Sequence, residues 1–253
     1  MSDELEYLSK WKSFQARNEN HYTRQFIRAL QQQINQFVKS KDPNKITSAP
    51  IYKVLVDLYK NVGVNWAHKT VLDLRTQKAR LPMGFSERIV ELMRQYYGID
   101  LLNDAELMTQ HSRDVIVKVL SEAAQTGASF SEIVKILQQN SEFSAIRARR
   151  IARTETVTAA NGAAIINAKE SGLSLTKKWL RVNDKRIRDD HRDVTGKTVD
   201  IDEPFKVGDV YMDQPGARKQ PNGHKVPAKE VVNCRCVLGF RGKRDANGRL
   251  ITT

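Results

Sequence analysis

With two cysteines in 253 residues, the chain has no disulfide framework, so its thiols are expected as free groups or as metal ligands. No apolar run approaches the roughly 18 consecutive residues that a membrane-spanning helix requires, so a soluble protein without a membrane partner is expected. Met1-Ser2-Asp3-Glu4-Leu5-Glu6 is acidic where a secretory signal carries positive charge ahead of an apolar block, and cytoplasmic synthesis is the expectation. Internal repeats and low-complexity tracts are missing too. Stability must then come from burial, and 40% apolar content at this length supports a substantial core in one large domain or two ordinary ones.

Charge is in excess of one sign. A net +13 and a pI near 9.8 draw polyanions, of which nucleic acid is the commonest. From Leu173 onward 18 Lys and Arg stand against 11 Asp and Glu, a net of +7 that leaves +6 for the longer preceding part. There Lys177, Lys178, Lys185, Arg186 and Arg188 flank Trp179, and they are the expected sites of ionic, non-specific contact with double-stranded DNA. The competing reading is a solvated basic face around a tryptophan that anchors the core.

From Glu4 to about Gly172 the apolar residues recur at helical spacing. Phe26, Leu30, Ile34 and Phe37 mark one face of a long first helix, which Asp42-Pro43-Asn44 ends. Ile51, Leu55 and Leu58 continue the pattern, and Ser86 to Gly98 reads as a helix with a serine cap and a glycine stop, followed by another from 101 to 126. Ser129 and Glu132 fit a capping box for a short helix to Gln139. The next helix, from near Ser141, gathers Ala148, Ala152, Glu155, Ala159, Ala163 and Ile166 on one close-packing face. The residues alone favour a solvated carboxylate at Glu155; buried in that row it needs a cation, which Arg181 or Arg188 is expected to supply.

After Gly172 the pattern alternates and turns multiply. Strands are predicted over Thr176 to Val182, Lys197 to Ile201, Val207 to Met212 and, in part, Val231 to Phe240, with Asn247-Gly248 turning the chain back. Asp213 to Lys229 is rich in Pro and Gly and reads as a loop that orders against a neighbouring subunit or DNA. The fold class is therefore α+β: an all-helical part over 1–140 and a compact domain with a small antiparallel sheet over 141–253.

Asp184, Arg188 and His191, spaced four and three apart, align on one side of a helical turn and predict a polar cluster. His191, His224 and Asn233 have the residue types of a histidine-asparagine-histidine nuclease, but both histidines precede the asparagine and an apolar strand follows it. No catalytic residue is assigned on that basis. His191, Cys234 and Cys236 are three potential zinc ligands, with His224 or Asp184 as a fourth. Residues two apart in a strand share a face, however, and the cysteines would then point with Val232, Leu238 and Phe240 into the core. Structural thiols, without metal or cofactor, are the expectation, with Asn233 and Arg235 facing the other way.

The ordered set Arg153-Thr154-Glu155, Trp179, Asp184, Arg188, His191, Gly196 and Asn233-Cys234-Arg235-Cys236 resembles the Mu F-like minor head proteins of tailed bacteriophages, the head morphogenesis family. The resemblance covers roughly residues 141 to 240. It implies a non-enzymatic minor capsid protein that enters the procapsid, associates with portal protein and with scaffold or major capsid protein, and stays in the virion near packaged DNA. The rivals are a metal-dependent nuclease or toxin-like effector, and a stand-alone DNA-binding protein.

Overall fold

Helix α1, Ser2–Ser40, opens the chain in the computed structural model, which describes residues 2–75, 85–182 and 186–252. Phe26, Leu30, Ile34 and Phe37 are all buried on its inner face, as their spacing predicts. The helix stops where Lys41 turns to left-handed dihedrals (φ 57°) and donates its amide to Phe37 O at 2.7 Å. Asp42 then caps a short 3-10 turn, Pro43–Lys45. Helix α2, Ala49–Arg75, buries Ile51, Leu55 and Leu58.

Helix α3 runs unbroken from Phe85 to Thr126, which corrects the expected stop at Gly98. A glycine costs a helix interior only about 1 kcal/mol. Leu92, Met93, Leu101 and Ala105 are buried on either side of it, so packing carries the helix through. Helix α4, Phe130–Gln139, opens on the predicted capping box: Glu132 Oε2 accepts from Ser129 N–H at 2.7 Å, and Ser129 Oγ from Glu132 N–H at 3.4 Å.

Helix α5, Ala145–Lys169, follows a 3-10 turn over Ser141–Phe143 and is the axis of the fold. The predicted row of small residues is buried, but so is every other residue from Thr154 through Ala168. It is enclosed on all sides, with α1 and α2 along its length. Gly63 of α2 shows how close the approach is, because a Cβ there would lie 3.2 Å from Ala163 Cβ.

Strand β1, Leu175–Leu180, is central in an antiparallel sheet, between β2, Thr198–Asp200, and β5, Val237–Gly242. Trp179 pairs with Leu238 in this register. The single strand expected over Val207 to Met212 is instead part of a hairpin, β3 Phe205–Val207 and β4 Val210–Met212, because Gly208 (φ 56°) turns the chain. Two short helices complete the elements of the described residues, α6 Asp189–Val194 and α7 Ala228–Val231. The last predicted strand begins only at Val237, since α7 and a turn occupy 228–233. At the end, Asp245 N–H donates to Arg249 O around Gly248 (φ 75°), as the Asn-Gly pair predicts.

The architecture is α+β, with helices first and small antiparallel sheets after. One hydrophobic cluster extends from Trp11 to Leu238, so the two parts share a core. Helix α1 also reaches the end of the fold by hydrogen bonds, Tyr7 Oη to Leu238 O at 2.6 Å and Trp11 Nε1 to Arg235 O at 2.9 Å. Among the described residues, no helix is long and apolar enough to cross a membrane.

Candidate functional site

Residues far apart in sequence converge on the segment 230–236. Asn233 takes left-handed dihedrals (φ 61°), which asparagine tolerates better than most side chains. Its amide donates to Thr154 Oγ1 at 3.0 Å, and its Oδ1 accepts from Arg153 Nη1 at 3.2 Å. Arg153 also grips Glu19 of α1 with two donors, at 2.9 and 2.6 Å, so one guanidinium ties the first helix to the last turn. Arg188 donates to Val232 O. Fully buried Asn161 donates to Cys236 O at 3.1 Å and accepts from Leu238 N–H at 2.9 Å. Asn161 was missed in the sequence, although a polar residue beside Gly162 in an alanine-rich helix is a poor helix former that needs another use.

Glu155 is buried as expected, but its partner is Arg218, from the loop after β4, and not Arg181 or Arg188. Tyr59 of α2 adds a hydrogen bond at 3.0 Å, and Arg218 also pairs with Asp104 of α3. Burial pushes the Glu155 carboxyl up to about 7, with the Tyr59 hydrogen bond acting the other way. The same contacts correct the picture of the 213–229 loop, which is held by its own chain. Gln214 Nε2 reaches Tyr97 Oη at 3.2 Å, Thr158 Oγ1 donates to Gly216 O at 3.1 Å, and Lys219 pairs with Asp100 at 2.9 Å. No local sequence signal points Arg218 at a helix 63 residues earlier. Beneath this loop, Tyr97, Asp100, Lys169, Glu170 and Gln220 border a cavity of about 440 Å³.

The two cysteines do face the same way, although they precede β5 and are not part of it. His191 Nδ1, from α6, lies 3.7 Å from Cys234 Sγ and 3.6 Å from Cys236 Sγ. Cys236 N–H donates to Cys234 Sγ at 3.4 Å. The three are buried, and their nearest ligand atoms all fall within 4.8 Å of one another. On its other side, His191 Nε2 is 3.2 Å from Oε2 of buried Glu230, and neither atom has an aligned hydrogen bond. The ring of Trp179 stands edge to face against His191, centroids 5.5 Å apart. The hydrogen bond from Cys236 holds the Cys234 thiol well below its usual range, and the same contact pushes Cys236 up. Burial works to lower His191, but Cys234 outweighs it and the net direction is up. His224, the other fourth-ligand candidate, is exposed on its loop, and Asp184 lies outside the described residues.

The basic residues assigned to DNA do not form one outward face. Lys177 is fully buried, its Nζ 5.5 Å from the centre of the Phe205 ring, because it shares the inner face of β1 with Leu175 and Trp179. Lys178 pairs with Glu4 of α1 at 2.7 Å, and Arg188 is committed to Val232. Arg186 is exposed, and Lys185 lies outside the described residues.

Residues 114–239 match the family described as Phage Mu protein F like protein. The chain is 39% identical over 115 residues to the NAD(+)–arginine ADP-ribosyltransferase EFV of Enterococcus faecalis, covering 44% of this chain and 22% of that protein. It is 31% identical over 139 residues to the uncharacterized protein YqbB of Bacillus subtilis, covering 53% and 43%. It is 27% identical over 197 residues to the minor head protein GP7 of Bacillus phage SPP1, covering 77% and 56%. The chain thus spans between about a fifth and somewhat over half the length of these relatives. No solved structure matches it.

Proposed function

Because the chain belongs, through residues 114–239, to the Phage Mu protein F like family, we propose that it is a minor head protein of a tailed bacteriophage. In this reading it enters the procapsid through contact with portal protein and with scaffold or major capsid protein, and stays in the capsid interior beside packaged DNA. The carrying observation is that the matched segment coincides with the interlocked body around α5 and residues 230–236, to which α1 is tied by Arg153 and Glu19. The role is structural: the signature residues Arg153, Thr154, Glu155 and Asn233 all serve packing contacts. Buried His191 and exposed His224 do not share a site among the described residues. Co-expression with the portal protein of the same genome tests the assignment. Co-purification of the two, and presence of the chain in purified virions, are expected; virions of normal composition without it would overturn the reading.

DNA contact rests on the net charge of +13 rather than on one patch. Binding should be independent of sequence, with log affinity falling against log salt by about 0.9 per phosphate neutralised. Titration of one random duplex at several salt concentrations decides this, and absence of binding at low salt, or binding indifferent to salt, removes DNA from the list of partners.

A further inference from the structure

A tetrahedral zinc ion with Zn–S near 2.3 Å and Zn–N near 2.0–2.1 Å sets its sulfur and nitrogen ligands about 3.5 Å apart. His191 Nδ1 stands 3.7 and 3.6 Å from the two sulfurs, near that edge length. The second nitrogen faces Glu230, which is 2% exposed; carboxylates often orient metal-bound histidines in this way. Glu230 Oε1 has Lys229 Nζ at 3.5 Å, but its Oε2 and His191 Nε2 are both buried without an aligned hydrogen bond, a costly arrangement for polar groups. Beside the three ligands is a cavity of about 20 Å³, bordered by Arg181, Arg188 and Arg235, with room for about one water.

We propose that His191, Cys234 and Cys236 bind one zinc ion, which fastens α6 to the segment leading into β5. Two thiolates and an imidazole suit zinc in a reducing compartment, where no redox change is needed. Binding leaves both cysteines as thiolates and Nδ1 of the imidazole unprotonated, the protons they carried passing to solvent; two Zn–S bonds and one Zn–N bond form, and water in the small cavity completes the tetrahedron. Glu230 is a positioning residue that holds the ring with Nδ1 toward the metal. The zinc joins parts of the chain separated by 43 and 45 residues, at the point where Arg153, Thr154 and Asn161 also converge. Its task is to close the fold.

The test uses the full chain, purified reduced and without chelator. Elemental analysis should find one zinc per chain, and Cys234→Ser/Cys236→Ser should hold none. Since that variant can lose its fold, wild-type protein stripped by chelator supplies an independent readout. Cobalt titration should give a thiolate-to-cobalt charge-transfer band that saturates at one equivalent and disappears when zinc is added. Glu230→Gln should keep the stoichiometry and weaken affinity by about 10- to 100-fold. A chelator-free protein without zinc that also gives no cobalt band overturns the proposal, as does zinc retained in full by the double cysteine variant.

Discussion

Glu155, in the enclosed stretch of α5, meets the guanidinium of Arg218 from a loop 63 residues later, and the pair joins the helical and sheet parts of the molecule. The two ends of this contact are not equivalent. Glu155 is 2% exposed, whereas the Arg218 side chain is 22% exposed and also holds Asp104. Removing Arg218 therefore strands a deeply buried acid; removing the acid leaves an arginine with another partner.

Arg218→Met should cost about 3–5 kcal/mol near pH 8, the range for breaking a buried pair, while Glu155→Gln should cost clearly less because its amide oxygen still accepts from Tyr59. The Glu155 carboxyl is pushed up to about 7 in the folded state, against about 4.5 as its ordinary value. Losing the Arg218 cation raises the carboxyl further, so the Arg218→Met penalty should shrink as pH falls from 8 toward 7 and the stranded acid takes up a proton, and should level off once Glu155 is neutral in both proteins. Urea midpoints at pH 8 and pH 5.5 check both statements. Equal costs for the two variants, or a penalty that does not change with pH, would count against a buried ionised acid.

The helical half was legible because its signals are local. The spacing of Phe26, Leu30, Ile34 and Phe37, the break at Asp42-Pro43 and the Ser129–Glu132 box each involve neighbouring residues. The stop at Gly98 was misread because tertiary packing of Leu92, Met93, Leu101 and Ala105 outweighs a small local preference. The cluster of His191 with Cys234 and Cys236 was readable as a set of residue types, but its distances depend on how α6 and the turn at Asn233 meet. Lys177 was misplaced although the signal was present: alternation puts it two positions from both Leu175 and Trp179, on the inner face. The Arg218 contact carries no sequence signal at all, since loop and helix are brought together by the finished fold.

Lys177 should make stability depend on pH in the alkaline range. Burial pushes its amine down to about 8; Asp213, Asp202 and Glu203 oppose that shift, and Lys169 adds to it. Below pH 8 both folded and unfolded chains carry the charge, and the full cost of burying it is present. Between about 8 and 10.5 only the unfolded chain keeps the proton, so stability rises with pH across that window. Lys177→Met should therefore stabilise the protein at pH 7 by up to about 3 kcal/mol, an advantage that fades toward pH 10.5. Melting curves of both proteins from pH 7 to 10.5 are the measurement, and a variant less stable at pH 7 would show that the ammonium is well compensated.

Asn233 has a backbone requirement and a side-chain role, and two substitutions separate them. Its φ of 61° strains an alanine by about 1–2 kcal/mol but suits glycine. Both substitutions lose the bond from Arg153 Nη1. The expected order of stability is wild type, then Asn233→Gly, then Asn233→Ala, with about 1 kcal/mol between the variants. If alanine and glycine variants unfold at the same denaturant concentration, the turn does not hold this conformation in solution.

Asn161 is the strictest test of how α5 engages the sheet. Its carboxamide satisfies a donor and an acceptor of the buried chain, Leu238 N–H at 2.9 Å and Cys236 O at 3.1 Å. Asn161→Leu keeps the number and branching of heavy atoms but leaves both groups without that partner, at about 1–3 kcal/mol each, and Leu238 should show the largest rise in amide exchange. Asn161→Asp keeps the acceptor for Leu238 yet aims a second oxygen at the Cys236 carbonyl in a site with no exposure. Burial and that repulsion raise the folded carboxyl above its unfolded value, so the folded state gains a proton first as pH falls. Once protonated, the acid can donate to Cys236 O as asparagine does. The aspartate variant should therefore be severely destabilised at pH 8 and should recover part of the loss relative to wild type near pH 5. The leucine variant should show no such recovery. A constant gap between wild type and Asn161→Asp from pH 8 to 5 would mean that the carboxylate finds solvent, and the helix–strand contact would then be looser than its hydrogen bonds describe.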